Sequence, residues 1–210
     1  MNNQRNKAIY RLYAPLYDFI FQPVLAAGRK RAIQLLNLQS GERVIIPGVG
    51  TGLDLPLLPL GVCITATDLS PAMLDKARAK AHGRDVTLAV MDAQALQLPD
   101  NSFDAAILNL ILSVVPDGAV AFREAWRVLR PVGRAVIFDK FLAEASALSP
   151  VRRALGNVIS ALGTDPNRRL RDITGSMPGV RQEHDEASLL RGQYRIIKLR
   201  KLATEQANLD

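Results

Sequence analysis

The sequence predicts a doubly wound α/β fold: a seven-stranded, mostly parallel sheet covered by helices on both faces, with a helical lid at the N-terminus. Three observations lead there. Short apolar runs alternate with amphipathic stretches through the middle of the chain, the pattern of strand–helix–strand units. Those runs are continuously apolar rather than alternating, as strands buried on both faces require. The 210 residues, 48% hydrophobic and 22% charged, suit one domain with a sizeable core.

The elements follow in order. Leu12, Leu16, Phe19 and Ile20, then Val24, Leu25, Ala32, Ile33, Leu35 and Leu36, recur at helical spacing. Pro15 and Pro23 break this stretch into pieces, and Gly41 ends the last one. Residues 1–40 therefore read as a helical segment whose Phe19-Ile20-Phe21 cluster beside basic residues suits membrane contact, and 41–205 as the sheet domain that forms one unit with it. Val44-Ile45-Ile46 is a strand that runs into Pro47 and a glycine-rich turn, and Val62–Thr67 is a second strand. Ser70 caps a helix that starts at Pro71 and reaches about Ala81. Val86–Val90 and Phe103–Asn109 are the third and fourth strands. A helix over Gly118–Leu129 stops at Pro131 and Gly133, and Arg134–Asp139 is the fifth strand. A basic helical stretch follows Pro150, and Val180–His184 and Tyr194–Leu199 close the sheet.

Composition removes several classes of function. The single cysteine, Cys63, allows no disulfide framework, and its apolar neighbours Val62 and Ile64 predict a buried, inert thiol. Two histidines beside it offer no zinc site and no Cys-His pair. His82 falls at a helix end and His184 on a late strand, both structural positions. Met1–Lys7 is polar with no apolar run directly behind it, and no stretch approaches the ~20 apolar residues of a membrane span. The expectation is a cytoplasmic protein, at most peripheral on the inner membrane face.

The net charge of +7, from 27 basic and 20 acidic residues, is clustered. The clusters are Arg5, Lys7 and Arg11; Arg29, Lys30 and Arg31; Arg152 and Arg153; Arg168, Arg169 and Arg171; Arg195, Lys198, Arg200 and Lys201. They suit an anionic membrane surface or form a solvated basic face. No nucleic-acid-binding motif is present, and no nucleic-acid partner is expected.

The chemistry gathers at the predicted strand ends, where open parallel sheets bind ligands. The first strand ends in Gly48-x-Gly50-x-Gly52, a turn that lets backbone approach a ligand closely. By itself this motif equally suits a dinucleotide or a plain structural turn. Asp68 ends the second strand, where a carboxylate can accept both hydroxyls of a ribose; nicotinamide enzymes use the same device. Asp92, in Met91-Asp92-Ala93 after the third strand, is placed to accept from an adenine amine.

The run from Asp92-Ala93-Gln94-Ala95-Leu96 through Pro99-Asp100-Asn101-Ser102-Phe103-Asp104 resembles the segment before the fourth strand of class I, Rossmann-like, S-adenosylmethionine-dependent methyltransferases. Glu124-Ala125-Trp126-Arg127-Val128-Leu129-Arg130-Pro131 resembles the helix and turn before their fifth strand. Tyr13-Ala14-x-x-Tyr17-Asp18 is similar to their lid. Within that family the chain looks most like ubiquinone/menaquinone C-methyltransferases and bacterial phosphatidylethanolamine N-methyltransferases. Phe138-Asp139-Lys140-Phe141-Leu142, Gly163-Thr164-Asp165 and Tyr194-Arg195-Ile196-Ile197 favour the latter.

The resemblance implies S-adenosyl-L-methionine as cofactor and S-adenosyl-L-homocysteine as product. It implies a cofactor site of Tyr17, Gly48, Gly50, Thr51, Gly52, Asp54, Asp68, Leu69, Met73, Met91, Asp92, Ala93, Asn109 and Ser113. Tyr17 and Asp139 are the catalytic candidates, with Lys140 beside Asp139. The acceptor is a phospholipid or another lipophilic or amine compound. Quinone-ring C-methylation, small-amine N-methylation and a non-catalytic cofactor- or lipid-binding role are the alternatives. Two positions depart from the family. Ile46 stands where an acid usually helps to position the cofactor's methionine end, and Asp54, just past the turn, is the carboxylate able to substitute in part. Val132 replaces a usual glycine, a change expected to be tolerated.

Overall fold

The computed structural model describes residues 25–141, 169–175, 177–189 and 192–203. Helix α1 covers residues 25–36. The strands are β1 (Arg43–Pro47), β2 (Cys63–Asp68), β3 (Asp85–Val90), β4 (Phe103–Asn109), β5 (Leu129–Lys140), β6 (Val180–Ala187) and β7 (Tyr194–Lys201). The remaining helices are α2 (Pro71–Arg78), α3 (Gly118–Val128) and α4 (Leu170–Thr174). The sheet order is β3-β2-β1-β4-β5-β7-β6. The first five strands pair in parallel, and β7 lies antiparallel between β5 and β6. The predicted seven-stranded, mostly parallel sheet is present.

From β1 the chain builds outward to β2 and β3, then crosses back to lay β4 on the other side of β1. That reversal opens a crevice beyond the carboxyl ends of β1 and β4. On one face, Val44, Ile46, Ile107, Val136 and Phe138 pack beneath Ala32, Ile33 and Leu36 of α1 and Leu74 and Ala77 of α2. On the other, Ile45, Ala106, Leu108, Ala135 and Ile137 meet Phe122, Ala125 and Trp126 of α3 and Ile173 of α4. All seven residues of β4 are buried, which explains its apolar middle, Ala105-Ala106-Ile107-Leu108. Gly28 brings α1 close to the sheet: a Cβ there would collide with the Phe138 ring.

Several details differ from the sequence reading. Helix α1 stops at residue 36, where Asn37 takes a left-handed φ of 47°; Gly41 instead forms the turn into β1. The described part of the segment read as a lid is core: Leu25, Ala32, Ile33 and Leu36 are buried. Helix α2 ends at Arg78 rather than Ala81, and Ser70 occupies its N-cap position without a side-chain cap bond. Strand β5 begins at Leu129, directly after α3, because Arg130 precedes Pro131 and is steered toward extended backbone. Cys63 is exposed rather than buried. It lies in register with Asp85 of β3, and a hydrogen bond to that carboxylate raises the thiol pKa. Tyr10, Tyr13, Tyr17, Phe19-Ile20-Phe21, the basic stretch after Pro150 and Gly163-Thr164-Asp165 lie outside the described residues.

The basic cluster on β7 is neutralised within the sheet. Arg195 pairs with Asp185; Lys198 and Arg200 pair with Glu183. Lys201 caps the end of α3, its Nζ donating to the carbonyls of Trp126 (2.8 Å) and Leu129. Arg31 likewise pairs with Glu186. These charges are committed to holding β6 and α1 in place. No helix among the described residues is long and apolar enough to cross a membrane.

Two predictions follow from this packing. Val132 is β-branched and holds a left-handed φ of 58° on an exposed turn. Val132→Gly should raise unfolding stability by about 1 kcal/mol in urea titration, since relief of strain outweighs the added chain entropy. Arg200, Lys198 and Arg181 hold the Glu183 carboxyl at about 2, below its ordinary 4.5. Its stabilisation is therefore complete above pH 4.5 and lost as pH falls toward 2. Glu183→Gln should flatten the fall of Tm across that window.

Candidate active site at the strand tips

The turn after β1 is shaped by three glycines at left-handed φ: Gly48 at 68°, Gly50 at 56° and Gly52 at 80°. Their surroundings differ. A Cβ on Gly48 would collide with Ile111, and one on Gly52 would lie 2.8 Å from the Ala77 Cα. A Cβ on Gly50 would meet nothing within 4 Å. The outer two glycines let protein pack against the turn, while the middle one faces open space. Thr51 is buried, and its carbonyl accepts from Lys80 Nζ at 2.7 Å.

Asp68 ties this turn to the next. Its Oδ2 accepts from the Gly50 N–H at 2.9 Å and its Oδ1 from the Ser70 N–H at 2.8 Å. The Leu69 N–H also donates to this carboxylate, which still keeps acceptor capacity for a ligand hydroxyl. Burial raises the Asp68 pKa, against the opposing pull of those N–H groups. The Met91 N–H donates to the Asp68 carbonyl at 3.2 Å, which sets the β3 loop beside it. In that loop Asp92 Oδ1 accepts from the Gln94 N–H at 2.9 Å, and Ala93 is buried. Leu69 is half-buried and Met73, in the first turn of α2, is buried.

At the switch point Asp54 is 2% exposed. Its Oδ2 pairs with Arg29 Nη1 at 3.0 Å, and its Oδ1 accepts from Asn109 Nδ2 at 3.0 Å. Asp139 is 0% exposed; its Oδ2 accepts from the Ser113 N–H at 3.0 Å and its Oδ1 from the Lys140 N–H at 2.7 Å. Burial dominates and raises its pKa. Asp139 thus fastens the loop after β4 to the tip of β5, a latch rather than an exposed base. Lys140 Nζ sits 5.4 Å above the Tyr194 ring. His82 is exposed beyond α2, and His184 Nε2 contacts Glu186 at 2.7 Å. No cluster able to hold a metal occurs among the described residues.

Every described member of the expected site therefore lies at the carboxyl end of one of β1–β5, on the segment that follows such an end, or on the first turn of α2. Residues not anticipated complete it: Arg29, Lys80, Ile111, Glu124 and Arg127. Glu124 accepts from the Leu96 N–H at 2.8 Å. Arg127 donates to the carbonyls of Leu96 (2.8 Å) and Leu98 (2.9 Å) and pairs with Glu124 and Asp100. Guanidinium–carboxylate contact with Glu124, then Asp100, raises the Arg127 pKa. In the sequence this clamp shows as the i,i+3 spacing of the pair, within the Glu124–Pro131 stretch that resembles the family.

Residues 46–137 match the model of the methyltransferase domain family. A phosphatidylethanolamine N-methyltransferase from Cereibacter sphaeroides is 35% identical over 169 residues, covering 79% of this chain and 82% of that protein. The chain belongs to the methyltransferase family. A demethylmenaquinone methyltransferase from Thermus thermophilus is 34% identical over 137 residues, 60% of this chain and 61% of that protein. Among solved structures, the cyclase SpnF superposes with a TM-score of 0.76 at 19% identity, covering 94% of this chain and 95% of that one. Geranyl diphosphate methyltransferase in complex with SAM gives 0.69 at 17%, covering 84% and 85%. At these identities the structural likeness speaks for architecture alone.

The protein is thus an S-adenosylmethionine-dependent enzyme, and its residues fit that cofactor. Open space stands before Gly50, the Asp68 carboxylate retains acceptor capacity, and the buried Asn109 Oδ1 has no hydrogen-bond partner among the described residues. The clamp yields a test. Arg127→Ala should cost about 1–3 kcal/mol in urea unfolding. It should also weaken S-adenosylhomocysteine binding in calorimetry, because Asp92 loses its support. Unchanged affinity in the folded variant would show that residues 92–100 hold their course without Arg127.

Proposed function

We propose that this methyltransferase N-methylates phosphatidylethanolamine and its partly methylated forms toward phosphatidylcholine, working at an anionic membrane surface on the cytoplasmic side. The observation that carries the reading is the 35% identity with a phosphatidylethanolamine N-methyltransferase across 79% of the chain. That similarity spans 169 residues, a longer stretch than residues 46–137 matched by the family model. Lys140 supports it. At the tip of β5, its ammonium over Tyr194 pairs with no carboxylate at ion-pair distance among the described residues, and it offers a cation to a phosphodiester.

In this reading the Gly48–Gly52 turn, with Thr51, takes the amino-acid end of the cofactor. Asp68 takes the ribose, Asp92 the adenine amine, and Leu69, Met73, Met91 and Ala93 flank the base. When bound, S-adenosylmethionine would supply an electrophilic sulfonium methyl to an in-line amine, with the thioether S-adenosylhomocysteine as the leaving group. The protein's task is alignment, and held geometry of this kind contributes roughly 7–11 kcal/mol to lowering the barrier. A primary ammonium with a pKa near ~10.4 must lose its proton before it can attack, and exclusion of water favours the neutral amine. Tyr17 is the group proposed to accept that amine's hydrogen bond. Asp139 keeps Ser113 and Lys140 in position.

Purified enzyme given radiolabelled S-adenosylmethionine and mixed vesicles should label extracted phospholipid. Expression in a host without phosphatidylcholine should produce that lipid, and Gly50→Val should not. Label in a menaquinone precursor, with none in phospholipid, would overturn the substrate assignment in favour of ring C-methylation, the activity named for the Thermus relative.

A further inference from the structure

The strand position two residues before Gly48 carries no charge. Ile46 is 2% exposed and packs in the apolar cluster that contains Leu25, Ala32 and Val49. The carboxylate behind the glycine turn is Asp54, and it arrives with partners from two other elements. Arg29 comes from α1 and Asn109 from the last position of β4. All three are largely or fully buried, with side-chain exposures of 15% for Arg29 and 3% for Asp54.

From this arrangement we infer that Arg29 is a positioning residue for the methionine end of S-adenosylmethionine, acting through Asp54 and Asn109. A carboxylate paired with a guanidinium only accepts hydrogen bonds, so Asn109 must present its NH2 group to Asp54 and turn its Oδ1 the other way. That Oδ1 is buried and lacks a partner among the described residues. A buried acceptor without a donor is unfavourable, and such atoms mark places where a ligand completes the structure.

The cofactor has three kinds of donor: ribose hydroxyls, the adenine amine and the α-ammonium. Asp68 and Asp92 suit the first two, which leaves the ammonium for Asn109. Arg29 determines which way the amide faces. Without it, Asp54 is a buried carboxylate with no counter-ion, a state that neutralises or turns toward water. Asn109 is then free to rotate and present NH2 groups to a cation. The reach of Arg29 depends in turn on its neighbour Gly28, which allows α1 to lie against Phe138. Through this contact the helix that follows the N-terminal segment is coupled to the cofactor floor.

Two ligands separate positioning from general support. S-adenosylhomocysteine carries the ammonium, and 5′-methylthioadenosine has the same nucleoside and sulfur without the amino-acid end. Calorimetric titration of Arg29→Met should show roughly tenfold or greater loss for S-adenosylhomocysteine and less than about twofold for 5′-methylthioadenosine. Arg29→Lys, which keeps the charge, should recover S-adenosylhomocysteine binding to within about threefold. Circular dichroism establishes that the variants are folded. If Arg29→Met does not fold, Arg29→Gln retains one donor to Asp54 and should show the same selectivity with a smaller loss. Equal weakening for both ligands, or none for either, overturns the inference. No methyl acceptor takes part, so the result is independent of the phospholipid assignment.

Discussion

Parallel strands end with N–H groups and turns that the ladder cannot satisfy, and a sheet apolar on both faces brings no water to them. In this protein carboxylates meet that need at the carboxyl edge. Asp68 joins the β1 turn to the β2 turn through the N–H groups of Gly50 and Ser70. Asp139 joins the β4 loop to the tip of β5 through Ser113 and Lys140. Asp54 joins α1, the glycine turn and β4 through Arg29 and Asn109. The crevice walls are loops, yet each is fastened at a point by a charged acceptor. This gives a preorganised rim without covering the space before Gly50.

The two segments that most resemble the family are far apart in sequence and form one device in space. Residues 92–104 carry Asp92 toward the crevice, and 124–131 lie on and after α3. Glu124 and Arg127 reach across to bind the backbone at Leu96 and Leu98. The loop that carries Asp92 therefore depends on a helix for its course. A similar division of labour marks the tip of β5. Asp139 is sealed and holds position, while the ammonium of neighbouring Lys140 lies over Tyr194.

Most of the sheet was legible because parallel, doubly covered strands must be apolar on both faces. Phe103–Asn109 coincides residue for residue with β4, and all seven of its residues are buried. Boundaries were less legible where long-range contacts decide them. Val128 ends α3 three residues before Pro131, and pairing of Leu129 with Phe103 extends β5 backward. Cys63 misled because apolar neighbours predict burial, yet β2 and β3 leave that part of the sheet face uncovered. The basic run on β7 suggested an outward charge field, but register places Asp185 and Glu183 alongside it.

Local chemistry by itself determined the strand–helix alternation, the glycine turn and the carboxylates that follow successive strands. Each follows from properties a residue carries with it: hydrophobicity, freedom at positive φ and charge. Tertiary structure alone decided how those parts work together. That Asp54 faces Arg29, that Asn109 turns its oxygen away from that pair, and that Arg127 grips Leu96 all depend on distances of a few ångströms between residues separated by 25 to 55 positions. A side chain's partner is set by where the sheet brings its neighbours, and no local property of the chain encodes that.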